Sequence, residues 1–213
     1  MMPRKIPVIL TTLTLLLIWG CGLGKINQLP ISLKYIPSDK AELAASSKLE
    51  SVSLGLFVDS RTGRPAGAVG ELVRFNNEID RFHPRQGVTG AVGQIVRAYF
   101  TKRNIRVLPS NWNGKTDNIW GNKGDLVISA RILDLWFTGR DSLAMAQAAS
   151  VFQIELKAAS PKSGTVITKT IQIEPTARRN IFWAPRDVEK WLSKSISEAF
   201  DRILPDLERR LTG

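Results

Sequence analysis

The 213-residue chain contains one cysteine, Cys21, and one histidine, His83. A single cysteine excludes any intramolecular disulfide, so the fold must be held by its core. One cysteine and one histidine cannot assemble the usual zinc ligand sets. No G-x-S-x-G elbow accompanies His83, which leaves a Ser-His-Asp hydrolase without its sequence frame. Also missing is an apolar run long enough to cross a bilayer as a helix, which takes about 20 residues. No Pro/Gly/Ser-rich linker divides the chain, so one domain is expected. No helix-turn-helix, zinc-finger or RNP-like pattern is present, which argues against nucleic acid as a partner. Acidic residues are absent before Asp39.

What the N-terminus does have is ordered in a telling way. Arg4 and Lys5 precede an apolar stretch from Ile6 to Ile18, interrupted by three threonines and Pro7. A positive start followed by a short apolar core has the build of a secretory signal peptide. The stretch ends in Ile18-Trp19-Gly20-Cys21, which resembles the bacterial lipobox, with Trp19 where a small residue is usual. That resemblance implies a diacylglycerol thioether on Cys21, cleavage between Gly20 and Cys21, N-acylation, and labelling by palmitate. Two or three acyl chains make a durable anchor where one does not. The expected division is a leader over residues 1–20, a lipidated tether over 21–30 and a single domain over 31–213.

The formal charge is +11, or +9 once Arg4 and Lys5 leave with the leader. Such a surface is drawn to anionic lipid, to lipopolysaccharide phosphates or to an acidic envelope protein. These are the candidate partners, beside the membrane held through Cys21. No small-molecule substrate and no cofactor is indicated.

Periodicity supplies the fold class. Ile31 to Ile36 alternates like a strand, and Val52, Leu54, Leu56 and Val58 share one face of another, with Ser53, Gly55 and Phe57 opposite. Residues 66–87 give only short apolar pieces between turn residues. Val88 to Arg103 reads as a helix with Val88, Ala91, Val92, Ile95, Val96 and Tyr99 on one stripe, closed by Asn104 in a left-handed cap. Gly90 and Gly93 inside it suggest close packing against a sheet. Ile105 to Leu108 starts a strand, and Ser110 to Gly124 is a loop. Three alternating runs follow: Leu126 onward, extending to Phe137 through a slip in phase, then Ala148 to Leu156, then Thr165 to Glu174 beyond a Pro161–Gly164 turn. The last helix starts at Pro185 and carries the stripe Val188, Trp191, Leu192, Ile196, Ala199, Phe200 and Ile203, with Pro205 expected to kink or end it. The sum is an α+β two-layer sandwich: an antiparallel or mixed sheet of about five to six strands with two main helices on one face.

The order of these elements resembles the YajG-like family of small Gram-negative lipoproteins. The likeness is carried by Tyr35 and Pro37, by Val58-Asp59-Ser60-Arg61, by Asn104 with Ile105 and Val107, by the strand from Asp125 to Leu133, and by the final helix. It implies an outer-membrane lipoprotein facing the periplasm. A more distant likeness is to the auxiliary lipoproteins of lipid-transporting ABC systems.

Few residues offer chemistry. Carboxylate pairs such as Asp134 with Asp141, or Asp59 with Glu71, are candidates for acid/base work. Asp59 and Arg61 are candidates for ligand or turn contacts at the end of a strand. Trp112, Trp120 and Trp183 fall in loops, where an aromatic can face a partner; Trp136 and Trp191 belong with the core or its rim. The expectation is a lipid-anchored, non-enzymatic binding or scaffold module of the cell envelope. The alternatives are an accessory lipoprotein of lipid or lipopolysaccharide transport and an envelope hydrolase.

Overall fold

The computed structural model describes residues 24–38, 49–173 and 177–212, so Cys21 and the expected leader lie outside the described residues. Two long strands form the spine of a mixed sheet. In chain order the strands are β1 (Ile26–Ile31), β2 (Ser51–Asp59), β3 (Gly70–Val73), β4 (Ile79–Pro84), β5 (Arg106–Pro109), β6 (Leu126–Arg140), β7 (Ala146–Ala159), β8 (Val166–Ile173) and β9 (Arg178–Asn180). The helices are α1 (Gly87–Lys102) and α2 (Pro185–Thr212). β6 and β7 pair antiparallel from Val127 opposite Ala159 to Arg140 opposite Gln147.

Short strands dress both ends of that ladder. The first half of β6 takes β2 in parallel, and β2 takes β5. The second half takes β3 in parallel; β3 then pairs antiparallel with β4, and β4 takes β1 in parallel. On the outer edge of β7, β8 covers one half and β9 the other. The α+β class with a mixed sheet and two helices is as expected, but nine strands are described rather than five or six. The additional ones are three or four residues long, or lie where proline and polar residues mask alternation.

Burial follows the alternation along β7, where Ala146, Ala148, Ser150, Phe152, Ile154, Leu156 and Ala158 all point inward. They meet Val92, Ile95 and Val96 of α1 and Leu192, Ile196 and Phe200 of α2 in one core. In β6 an irregularity between Ile132 and Asp134 moves the inward phase from even to odd residues, so Leu135 and Phe137 join Ile132 inside. The expected slip in phase is therefore a bulge.

The same device corrects the reading of β2. Its register shifts between Leu54 and Phe57. Val52 and Leu54 are buried, but Leu56 and Val58 are 45% and 46% exposed, and Phe57 packs on the core instead. The cause is next door: the Leu56 amide donates to the Trp112 carbonyl at 2.8 Å. A Cβ on Gly55 would stand 2.3 Å from that same oxygen, so only glycine lets the loop come so close.

Other expectations change at the N-terminal end. β1 occupies Ile26–Ile31 and so takes up much of the stretch expected as a tether. Residues 32–38, expected as strand to Ile36, form no ladder. They run extended along α2, with the amides of Ser32, Lys34, Ile36 and Ser38 donating to Glu189 Oε2 (2.7 Å), Ser193 Oγ (3.0 Å), Ser197 Oγ (2.9 Å) and Asp201 Oδ2 (2.8 Å). The match is geometric: two extended residues advance about 6.6 Å and four helical residues about 6 Å. A row of acceptors at every fourth helix position therefore satisfies every second amide of the strap.

Asn104 is left-handed, with φ 60, and the Ile105 amide returns to the Phe100 carbonyl, closing α1 as expected. The tight packing inferred at its glycines is not found at Gly93, where a Cβ would lie 3.8 Å from the Phe57 ring. α2 does not stop at Pro205 but continues to Thr212. Leu204 just before the proline and Leu207 and Glu208 after it are buried. Glu208 accepts from Arg103 at the end of α1, and Tyr99 bonds to both, so the two helix ends are tied by a buried ion pair.

Candidate functional site

The candidate acid/base carboxylates do not converge. Arg61 grips Asp59 with Nε and a terminal nitrogen, each at 2.8 Å, and its other terminal nitrogen donates to the carbonyls of Ala68 and Leu135. The hydrogen bonds from Arg61 hold the Asp59 carboxyl below its ordinary pKa. Arg61 is thus a tie between the end of β2, the loop before β3 and the middle of β6. Arg64 makes a two-point contact with Asp134 (3.1 and 2.8 Å) and lies over Trp136. Arg81 binds Glu71 at 2.7 Å across the β3–β4 hairpin, and Arg74 binds Asp141 at 2.8 Å. Each acid is neutralised by its own arginine, an arrangement that suits structure more than proton transfer. Among the described residues no group of three His, Cys, Asp or Glu is placed to hold a metal ion. His83 sits half-buried in β4 beside the turn at Gly67.

Two of the three loop tryptophans are not partner-facing. Trp112 is 2% exposed, and its ring nitrogen donates to the Lys115 carbonyl at 2.7 Å. With Ile119, Val127 and Ala159 it forms a small apolar cluster separate from the main core. Trp183 is 6% exposed, stacked on Trp191 with ring centres 5.1 Å apart and set edge-on to Phe137. Position in a loop misled here, because a loop pressed onto a sheet buries its aromatics like a strand. Trp120 alone of the three stands out, at 67% exposure. Trp136 and Trp191 are buried, as expected.

Two depressions lie at opposite ends of the β6–β7 ladder. At the end where β6 begins, a depression of about 670 Å³ is lined by Leu108 to Trp112, Asn118 and Gly121 to Lys123. Its walls are braced: Asn122 donates to the carbonyls of Asn118 (2.9 Å) and Ile119 (2.8 Å) and accepts from Ser110, which also receives the Trp112 amide at 3.0 Å. Leu108, Pro109 and Trp112 make the lining more apolar than polar, while Asn111, Asn118 and Lys123 add polar groups at its edge; Trp120, next to Gly121 in the chain, lies by Gly164. Such a lining can hold a polar neutral group or a peptide backbone, and it lacks an acid to catalyse with.

At the other end, a depression of about 390 Å³ is built around Arg74. That guanidinium donates to Asp80 (2.7 Å), Asp141 (2.8 Å) and the Trp183 carbonyl (3.1 Å), and stacks 4.8 Å from the Phe182 ring. Asp80 also accepts from Asn27 at 3.0 Å. The cluster joins β1, β3, β4, the end of β6 and the segment before α2. No sequence pattern pointed to it, because the acceptors that Arg74 gathers lie 6 to 109 residues from it. The row Glu189, Ser193, Ser197 and Asp201 did carry a legible signal, four acceptors at a spacing of four.

No family model matches the chain, and no curated protein does. Solved structures do. Protein XCC0632 from Xanthomonas campestris, described under family-model DUF330, aligns with a TM-score of 0.51 at 11% identity, covering 86% of this chain and 99% of its own. A neuraminyllactose-binding hemagglutinin homolog from Helicobacter pylori gives 0.42 at 11% identity over 84% and 97%. Lipoprotein GNA1162 from Neisseria meningitidis gives 0.37 at 8% over 73% and 98%. At such identity the first alignment shows a shared architecture, nothing of activity.

Proposed function

We propose that this chain is a lipid-anchored, non-enzymatic binding or scaffold module of the bacterial cell envelope, facing the periplasm. The observation that carries the reading is the leader and Ile18-Trp19-Gly20-Cys21 standing directly ahead of a folded α+β domain whose first strand begins at Ile26. No described helix is long and apolar enough to cross a membrane, and the reading assigns attachment to acyl chains on Cys21. The resemblance to the YajG-like lipoproteins, and Gly22 rather than Asp after the cysteine, favour the outer membrane. The module reading is further supported by the candidate carboxylates Asp59, Glu71, Asp134 and Asp141, each held by an arginine. The braced depression lined by Leu108 to Trp112 and Gly121 to Lys123, which holds no acid, is its candidate binding surface. An accessory role in lipid or lipopolysaccharide transport is the narrower version of the same reading.

The test is direct. Cys21→Ser should leave the precursor uncleaved and unlabelled by radioactive palmitate, and the wild type should sediment with outer-membrane markers in a sucrose gradient. Normal labelling of the variant sinks the anchor; co-sedimentation of the wild type with inner-membrane markers sinks the address. A photo-crosslinker at Asn111 should give adducts that Trp120→Ala weakens, if the braced depression is the binding surface.

A further inference from the structure

We infer that the Arg74 end of the domain is a membrane-contacting surface that sits against the headgroup region of the bilayer bearing the Cys21 anchor. The inference rests on the acylation of Cys21 proposed above and adds an orientation to it.

Three observations converge. First, the chain enters the described domain at this end. Ile26 pairs with Ile79 at the start of β4, and the Ile79 amide donates to the Lys25 carbonyl at 2.9 Å. Gly24 lies so close to the β3–β4 turn that a Cβ on it would stand 2.1 Å from the Asn77 carbonyl oxygen. Three residue steps separate Gly24 from Cys21, at most roughly 11 Å of extended chain. An acylated Cys21 therefore cannot leave this end far from the lipid.

Second, the end is apolar where it should be polar. Of nine large apolar side chains that stand exposed among the described residues, six are here: Ile26, Phe75, Leu143, Met145, Ile181 and Phe182. Phe75 belongs to the β3–β4 turn, Leu143 and Met145 to the β6–β7 turn, and Ile181 and Phe182 to the segment leading into α2. Phe75, Ile181 and Phe182 rim one depression with Ser142, so the three connections meet. Single exposed apolar residues are ordinary, but a cluster supplied by three separate turns marks a contact surface. Leu143 is 97% exposed and has no packing role to explain it.

Third, the exposed charge flanking those tips is mainly positive. Lys25, Arg140, Arg178 and Arg179 are exposed on the flanking strands. Of the nearby acids, Asp80 and Asp141 are committed to Arg74, and Glu78, half-buried on the same rim, accepts from Asn27 at 3.4 Å. Apolar tips ringed by cations fit the interface of an anionic bilayer, where side chains enter the acyl boundary and guanidinium groups meet phosphate. The braced depression near Trp120 then lies at the opposite end of the ladder and points away from the membrane.

The experiment uses the lipidated full chain, purified in detergent and reconstituted into vesicles of phosphatidylethanolamine and phosphatidylglycerol. Because Cys21 is the sole cysteine and is consumed by acylation, Leu143→Cys, Phe182→Cys and Trp120→Cys each give one labelling site for an environment-sensitive fluorophore. Probes at 143 and 182 should brighten several-fold and be quenched by doxyl-labelled lipid; the probe at 120 should do neither. Arg178→Glu with Arg179→Glu should reduce the change at 143 and 182. Acylated protein whose probes at 143 and 182 stay as wet as the one at 120 overturns the orientation while the anchor stands. Unmodified Cys21, read from the mass of the N-terminal peptide, overturns the anchor and the orientation with it. Burial at 143 and 182 in vesicle-free protein that rises with protein concentration means a second copy covers the end, and also overturns the proposal.

Discussion

The two ends of the β6–β7 ladder solve the same problem in opposite ways. Each must close off a depression formed where strands stop and connections cross. At the Trp120 end the chain satisfies its loop locally, with Ser110, Asn118 and Asn122 within twelve residues of one another. At the Arg74 end one guanidinium gathers acceptors from distant strands, and the turns around it project apolar side chains outward. A loop that satisfies itself can offer a polar surface without endangering the core. An end pinned by a nearly buried ion cluster is rigid, so its exposed apolar tips are held in place rather than folded away.

The sharpest way to break the contrast is Arg74→Met. It leaves Asp80 and Asp141, whose side chains are each 9% exposed, without their cation. Removing one partner of a buried ion pair costs about 3 to 5 kcal/mol, which denaturant unfolding would read. A loss no larger than that of a surface change would mean the cluster does not hold the end together. Asn122→Ala at the opposite end removes two donors to carbonyls and the acceptor for Ser110. A lost set of partly buried hydrogen bonds is worth about 1 to 3 kcal/mol, and melting curves should place this variant well above Arg74→Met in stability.

Gly93→Ala, in α1 between the two ends, should raise stability. The added methyl meets Phe57 at ordinary contact distance, and alanine gains about 1 kcal/mol over glycine in a helix interior. A lower melting temperature would show that the Phe57 ring cannot accommodate the methyl. The smallest effect is acid dependence at the Asp59–Arg61 tie. The carboxyl is lowered in the fold by hydrogen bonds from Arg61. Its contribution is therefore present above the unfolded carboxyl value and is lost as pH falls through the lower folded one. Arg61→Met should shrink the fall in melting temperature below about pH 4; an unchanged acid limb would exclude Asp59 as a source of it.

Much of the fold was legible because it rests on local rules. Alternation fixed the inward residues of β7 and β8, the helical stripe fixed the buried face of α2, and Asn104 marked the end of α1. The site was less legible. Trp112 and Trp183 sit among turn residues in sequence, and nothing local says that the Trp112 loop folds onto the sheet or that Trp183 stacks on Trp191. Arg74 reads as one surface arginine among many.

By itself, then, the sequence determined the helices and the long alternating strands, since each depends on neighbours a few positions away, and it is the source of the proposed leader and anchor at Cys21. Tertiary structure alone decided where β2 changes phase, because a two-residue period cannot reveal a bulge imposed by a loop more than fifty residues on. It also decided that residues 32–38 lie along α2 instead of in the sheet, since their amides find acceptors more than 150 positions away. And it alone brought three turns and the chain entry at Gly24 to one end, because which connections meet depends on strand order, and strand order is set by long-range pairing.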